Sequence, residues 1–288
     1  MSVPFVIGAV AYDPKVVTIW EGFRALFRER GLDNDVVLFT NYERQVEALL
    51  AGDIDTAWNS PLAWVRARRL AAAAGQTAHS LVMRDSDQDL TSLILVRTTD
   101  AITSLPQLRG ATIATGAIDS PQATLLPLGH LRQAGLITGH DVYVRRFDLL
   151  VGKHGDHIGG EREAVRALLR GEVAAACILD ANHAAFIADG TMPSGATRIL
   201  ARTAPYDHCN FTAIGRVGGE LAPEFATFRR VLLEMSFADP VVRPLFDLEG
   251  LKAWRPGRTV GYQALEQAVD DQSFYHHSGA ISASGYHP

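Results

Sequence analysis

Cysteine is nearly missing from this chain: its 288 residues include two, Cys177 and Cys209. Two thiols cannot staple a disulfide scaffold or complete a four-cysteine zinc cluster, so the fold must come from a buried core. One disulfide is compatible with the count, and a reduced compartment is the simpler expectation. Long apolar runs are also scarce. Away from the N-terminus the longest is 173–179, far short of the roughly 20 residues that span a bilayer. Residues 3–11 are apolar and end in Ala9-Val10-Ala11, which imitates an export cleavage site. No basic residue precedes Lys15, so the positively charged start of a secretory signal is lacking. The segment is expected to be a strand, and the chain cytoplasmic as it stands, or periplasmic or extracellular if it is a trimmed mature form. Excess charge of either sign is absent too, with 27 basic against 32 acidic residues and a formal charge of −5. That balance offers no electrostatic case for nucleic acid or for an anionic membrane. Neither a Walker A loop nor the Gly-x-Gly-x-x-Gly, Gly-x-Ser-x-Gly or His-Glu-x-x-His patterns occur, which argues against nucleotide hydrolysis, dinucleotide redox, serine esterase and zinc-protease chemistry.

What is present describes a packed protein. Hydrophobic residues make up 47% and charged ones 20%, a globular composition whose length allows one large domain or two lobes of about 130 residues. An internal echo favours two. Val46-Glu-Ala-Leu-Leu-Ala-Gly-Asp-Ile-Asp-Thr-Ala57 and Val165-Arg-Ala-Leu-Leu-Arg-Gly-Glu-Val-Ala-Ala-Ala176 share Val, Ala, Leu, Leu, Gly, an acid and a β-branched residue in register. Each reads as a short helix ended by a glycine, followed by a buried strand. Upstream, a strand at 5–11 leads to Asp13-Pro14, a helix and Gly31-Leu32. In the second copy a strand at 111–115 leads to Ser120-Pro121, a helix and Gly135-Leu136. Asp and Ser cap helices, and Pro suits a first turn. In the first helix Val16, Ile19, Trp20, Phe23, Leu26 and Phe27 form one stripe at helical spacing.

This β-α-β-α-β order predicts two doubly wound α/β lobes with parallel sheets around a ligand cleft. The expected division is 1–97 for lobe I, 98–203 for lobe II, 204–275 for a return to lobe I and 276–288 for a mobile Ser/Gly-rich tail. Hinge crossings fall near 97–104 and 203–208. Further strands are expected at 54–58, 91–97, 173–179 and 211–215, and a helix at 223–235. The copies differ in one place: 24 residues separate Asp141 from Val165, against 11 from Asp35 to Val46. The excess contains Val151-Gly-Lys-His-Gly-Asp-His-Ile-Gly-Gly160 and comes after the end of a parallel strand, where open α/β sheets bind ligands.

Three stretches, Ala11-Tyr-Asp-Pro-Lys15, the run from Asn41 to Trp64, and Gly116-Ala-Ile-Asp-Ser-Pro-Gln122, resemble the phosphonate/phosphate-type solute-binding proteins of ABC transporters. The similarity covers most of residues 3–235, in order. It implies the type 2 periplasmic-binding-protein fold, a small anionic ligand and transporter membrane subunits as partners. It also implies an anion held by a Tyr after the second strand and by a Ser/Thr-rich helix N-terminus in the second lobe. The matching positions are Tyr42 and Ser120, Gln122 and Thr124. Ser120-Pro-Gln-Ala-Thr124 departs from the family's Ser-Thr-Ser type, since Pro121 removes a backbone donor and Gln122 and Ala123 replace hydroxyls. A carboxylate or another oxyanion is still favoured by the helix dipole and the remaining N–H groups. The fold also hosts decarboxylases, dehydratases and a pyrimidine-forming synthase.

Each candidate residue has a plainer role beside its functional one. Asp13 caps the first helix, and Tyr12 beside it is the better ligand contact. Asn41 caps the second helix and leaves Tyr42 to face the cleft. Asn59 and Ser60 end a strand ahead of Pro61, and Ser120 precedes Pro121, so these residues could cap helices, contact ligand, or both. Asp180 ends the strand 173–179 and could read a ligand's amine or hydroxyl, or cap the next helix. His154 and His157 bracket Asp156 in the Gly-rich excess. Together with His183, one turn after Asp180, and His208, on the return to the first lobe, they are candidates for general acid/base work or for a divalent metal, although no cofactor is otherwise expected. His208 and Cys209 are adjacent, which places them on opposite faces of a strand and argues against a simple Cys/His pair. Cys177 reads as core, and His276 and His277 need no role.

The leading expectation is a solute receptor in which Tyr12, Tyr42 and Ser120 orient an anion while His157 or Asp180 reads its remaining polar group. The alternative is a cytosolic decarboxylase or lyase acting on a small carboxylate, with His154, His157 or His208 as acid/base groups or metal ligands. A cytosolic ligand sensor is a third reading.

Overall fold

The structure, a computed structural model, describes residues 4–156, 158–215 and 220–288. Strand β1 (Phe5–Val10) leads into α1 (Lys15–Glu29), β2 (Asn34–Phe39), α2 (Tyr42–Ala51), β3 (Thr56–Asn59), α3 (Pro61–Ala73) and β4 (Thr77–Arg84). Next come β5 (Ser92–Arg97), β6 (Thr112–Thr115), α4 (Leu126–Gln133), β7 (Tyr143–Arg146), α5 (Glu161–Leu169), β8 (Ala175–Leu179), α6 (Asp180–Ala188) and β9 (Thr197–Arg202). The chain finishes with β10 (Asn210–Gly215), α7 (Pro223–Leu233), α8 (Arg243–Glu249), β11 (Trp254–Pro256) and α9 (Gln263–Asp271).

Among the described residues these strands build a six-stranded sheet, β11-β4-β10-β3-β1-β2, and a five-stranded one, β7-β6-β8-β5-β9. The repeated unit is visible in both. β2-β1-β3 and β7-β6-β8 are parallel triplets of identical order, and the helices ahead of β3 and β8 end at Gly52 and Gly171, both with positive φ, where a side chain would strain the turn.

Three expectations need correction. The sheets are mixed, because β10 runs antiparallel to β3, and β5 antiparallel to β8. Each of these strands arrives from the other lobe at the end where the triplet finishes, Asn210 opposite Asn59 and Ser92 opposite Leu179, and so must run against it. The first crossing is earlier than 97–104: β5 already pairs in the second sheet, which moves the crossing into the segment between Arg84 and Ser92. The tail is also docked. Tyr286 is 3% exposed, and its hydroxyl donates to Glu43 Oε1 at 2.6 Å.

The core of the first sheet is aromatic. Phe211 lies 4.8 Å from Trp58 and 4.9 Å from Phe228, the latter edge-on, an arrangement that adds directional attraction to area burial. The whole predicted stripe of α1 is buried against it. A separate cluster brings together Leu62 and Trp64 of α3, Ile118 and Leu125 of the second lobe, Leu265 of α9, and Tyr275 and Tyr286 of the C-terminal segment. The end of the chain therefore braces both lobes. Among the described residues no helix is long and apolar enough to cross a membrane.

Candidate functional site

Tyr12, Tyr42, Asn59 and Ser60 lie at or just beyond the C-terminal ends of β1, β2 and β3. Asn41 caps α2 as expected, its Oδ1 accepting from Arg44 N at 2.8 Å, and this puts Tyr42 and Glu43 in the first turn. Ser60 caps α3 by accepting from Ala63 N at 3.1 Å. Across the cleft Ser120 caps the π-helical turn Pro121–Leu125 in the same manner, accepting from Ala123 N at 3.1 Å. Thr124 donates to Ala117 O at 2.7 Å, in the loop that leads into this turn.

Between these two helix ends sits the Gly-rich excess of the second copy. Gly152 O accepts from Tyr42 N at 3.1 Å. Lys153 Nζ donates to Ala11 O at 3.0 Å and to Thr40 O, reaching the ends of β1 and β2. His154 is fully buried. Its Nδ1 lies 2.6 Å from Ser60 Oγ, and its Nε2 lies 2.9 Å from Glu43 Oε1 and 3.3 Å from the Tyr286 hydroxyl. Gly155 O accepts from Gln122 Nε2 at 2.8 Å. Asp156 Oδ2 accepts a hydrogen bond from the Tyr42 hydroxyl. Asp119 holds the loop from beneath, accepting from Gly152 N at 2.6 Å and His154 N at 3.1 Å. Gly155 has positive φ, and a Cβ there would collide with Ser120 Oγ. Only glycine lets the backbone lie this close to the helix end.

Electrostatics follow the burial. Desolvation opposes the charge of Glu43, but His154 and hydrogen bonds from His154, Tyr286 and Tyr275 outweigh it and hold the carboxyl at about 2. Burial raises Asp119. It also raises Glu161, which opens α5, to about 7 against donors from Asn182 and Leu179 N. The Tyr12 phenol is raised by burial and by Glu249 and Asp156.

A second polar cluster lies where the chain returns to the first lobe. His208 Nδ1 is 3.0 Å from Cys209 Sγ and 3.5 Å from Asp87 Oδ1, so these neighbours meet, contrary to the opposite-face expectation, because both precede β10 and escape strand alternation. Burial disfavours charge on Asp87, and Arg84 overrides it, holding the carboxyl at about 2. Arg84 Nε and Nη2 bond the two Asp87 oxygens at 2.5 and 2.7 Å.

The histidine expectations divide. His157 lies outside the described residues. His154 is not available as a metal ligand, because both ring nitrogens already face protein partners. Asp87, His208 and Cys209 are the one group of three potential ligands that converges within 4.8 Å among the described residues. The Arg84 fork occupies both oxygens of the Asp, and a guanidinium there repels a cation. Cys209 is not primed as a nucleophile: burial and Asp87 raise its thiol well above the ordinary value, and a neutral thiol attacks poorly. Cys177 is core, as expected. Asp180 bonds Thr91 at 3.2 Å and also Arg202, on a partly exposed surface. Asn59 Oδ1 accepts from Gln45 Nε2 at 2.8 Å. Asp13 accepts from Lys15 N at 2.8 Å, the plainer of its two roles.

Sequence reasoning missed Glu43, Asp119 and Glu161. Glu43 stands next to Tyr42 in a first helical turn, where an acid is ordinary; its partners are 111 and 243 positions away.

With that geometry in view, residues 8–267 match the family model described as ABC transporter, phosphonate, periplasmic substrate-binding protein. The chain belongs to this family. No curated protein matches it. Among solved structures, PhnD1 from Prochlorococcus marinus (MIT 9301), in complex with methylphosphonate, is 17% identical with a TM-score of 0.67, covering 93% of this chain and 98% of that one. XAC2383 from Xanthomonas citri, bound to ATP, is 19% identical with a TM-score of 0.69, covering 94% and 98%. The periplasmic aliphatic sulphonate binding protein SsuA from Escherichia coli is 20% identical with a TM-score of 0.55, covering 94% and 86%. At these identities the likeness establishes the two-lobe fold of this phosphonate-binding family member.

Proposed function

We propose that this chain is the solute receptor of an ABC transporter and binds a small oxyanion, a phosphonate, sulfonate or carboxylate, between its lobes. One observation carries the reading. The Tyr42 hydroxyl of the first lobe and the Gln122 amide of the second donate to oxygens of adjacent residues, Asp156 and Gly155. Donors converging from two lobes on neighbouring acceptor oxygens are what an oxyanion requires, and a closed cleft strengthens each bond by excluding water. Methylphosphonate in PhnD1 and the aliphatic sulphonate binding of SsuA are the same chemistry in proteins of similar fold. The periplasmic setting and the transporter subunits come with the family description and form part of the proposal.

Ser60, His154 and Glu43 are ordered like a nucleophile, base and acid. All three are buried, and the Ser60 hydroxyl also caps α3, so the arrangement reads as an interlobe tie. Calorimetric titration of methylphosphonate, phosphate, methanesulfonate and acetate into the full chain and into Asp156→Ala tests the receptor reading. At least one anion should give a saturable isotherm, weakened tenfold or more by Tyr42→Phe. No heat from any anion with either protein would overturn it.

A further inference from the structure

Resting on that reading of the cleft, we propose that the Gly-rich loop is a tethered oxyanion mimic, and that a free anion binds by displacing it. The loop supplies acceptor oxygens to donors on both sides of the cleft: the Asp156 carboxylate to Tyr42, and the Gly155 carbonyl to Gln122. It is also anchored as a ligand would be. Lys153 reaches the ends of β1 and β2, His154 lies between Ser60 and Glu43, and Gly152 O takes the Tyr42 amide. These bonds join the second lobe's loop to the first lobe, so closure is built into the covalent chain. The thirteen extra residues of the second copy are where this loop lies.

Its consequence is internal competition. A tethered group acts at a high effective concentration, and affinity for a free ligand falls by the fraction of molecules whose loop is out of the site. Asp156 is the residue to remove, since it contributes the carboxylate and is only partly buried. Asp156→Ala leaves the Tyr42 hydroxyl for the incoming anion, while the His154 anchor stays.

The test uses methylphosphonate, inorganic phosphate and methanesulfonate with the full chain, read by calorimetry and by hydrogen exchange of the loop amides. Asp156→Ala should bind its preferred anion at least tenfold more tightly than the wild type. In the wild type, saturating anion should speed exchange over 150–156 and leave β6 and β8 unchanged. Equal or weaker binding by Asp156→Ala overturns the mimic while leaving the receptor reading intact. Slower loop exchange on binding does the same, because the loop would then be closing over the ligand. Absence of binding in both proteins overturns the receptor reading and this inference together.

Discussion

The imidazole of His154 lies flat on the ring of Tyr42, with centroids 4.7 Å apart and planes 17° apart. One ring opens α2 of the first lobe, and the other belongs to the second lobe's loop. The stack, with hydrogen bonds at both imidazole nitrogens, makes His154 the densest tie across the cleft. Replacing it by Ala removes a buried ring and one of the three partners of Glu43 Oε1, leaving Tyr275 and Tyr286. Truncating a large buried ring to Ala costs about 3–5 kcal/mol. Urea denaturation should show that loss, and a change below about 1 kcal/mol would contradict the tie.

Glu43 gives stability a defined acid limb. Its folded value of about 2 lies below that of a free carboxyl. The contribution is full above roughly pH 4.5 and is lost as pH falls toward about 2. A shift of this size is worth roughly 3 kcal/mol. Melting temperatures from pH 6 to 2.5 should fall steeply below pH 4.5, and Glu43→Gln should flatten that fall while lowering stability at pH 6.

Glu161 has the opposite sign. Burial raises its folded value to about 7, so the folded chain keeps a proton that the unfolded chain has released. Stability is full below about pH 4.5, declines as pH rises, and levels off above about 7, by roughly 3 kcal/mol in total. Glu249, also raised to about 7, adds to the same slope. Glu161→Gln should reduce the drop between pH 5 and 8 by calorimetry, and an unchanged slope would show that the carboxyl is ionised throughout.

The docked tail should matter to the cleft. Tyr286→Phe deletes a 2.6 Å hydrogen bond to an ionised carboxylate, worth about 1.5–3 kcal/mol. Truncation after residue 275 should cost more, because it also removes Tyr286 from the bridging cluster. Thermal denaturation of both variants measures this, and a truncation that melts with the full chain would contradict the brace.

Gly155→Ala tests how tightly the loop is set. Its positive φ and the collision of a Cβ with Ser120 Oγ predict a loss of about 1–3 kcal/mol in denaturant titration. The loss should be smaller in an Asp156→Ala background if the loop has already been released.

Local regularities settled much of this protein. The repeated Val-x-Ala-Leu-Leu-x-Gly helix ends, the Asn41, Ser60 and Ser120 caps and the α1 stripe depend on residues a few positions apart, and the parallel triplets follow from the helical connections between successive strands. The length difference between the copies also marked the loop. Only the tertiary structure decided what that loop does, because its partners Tyr42, Glu43 and Ser60 are about a hundred residues away. The same distance hid the antiparallel crossing strands and the docking of a Ser/Gly-rich tail whose one buried tyrosine meets Glu43 from 243 positions away. Composition reports a segment's own preference for solvent, but a single well-placed aromatic ring and hydroxyl can override that preference once folding brings a buried carboxylate within reach.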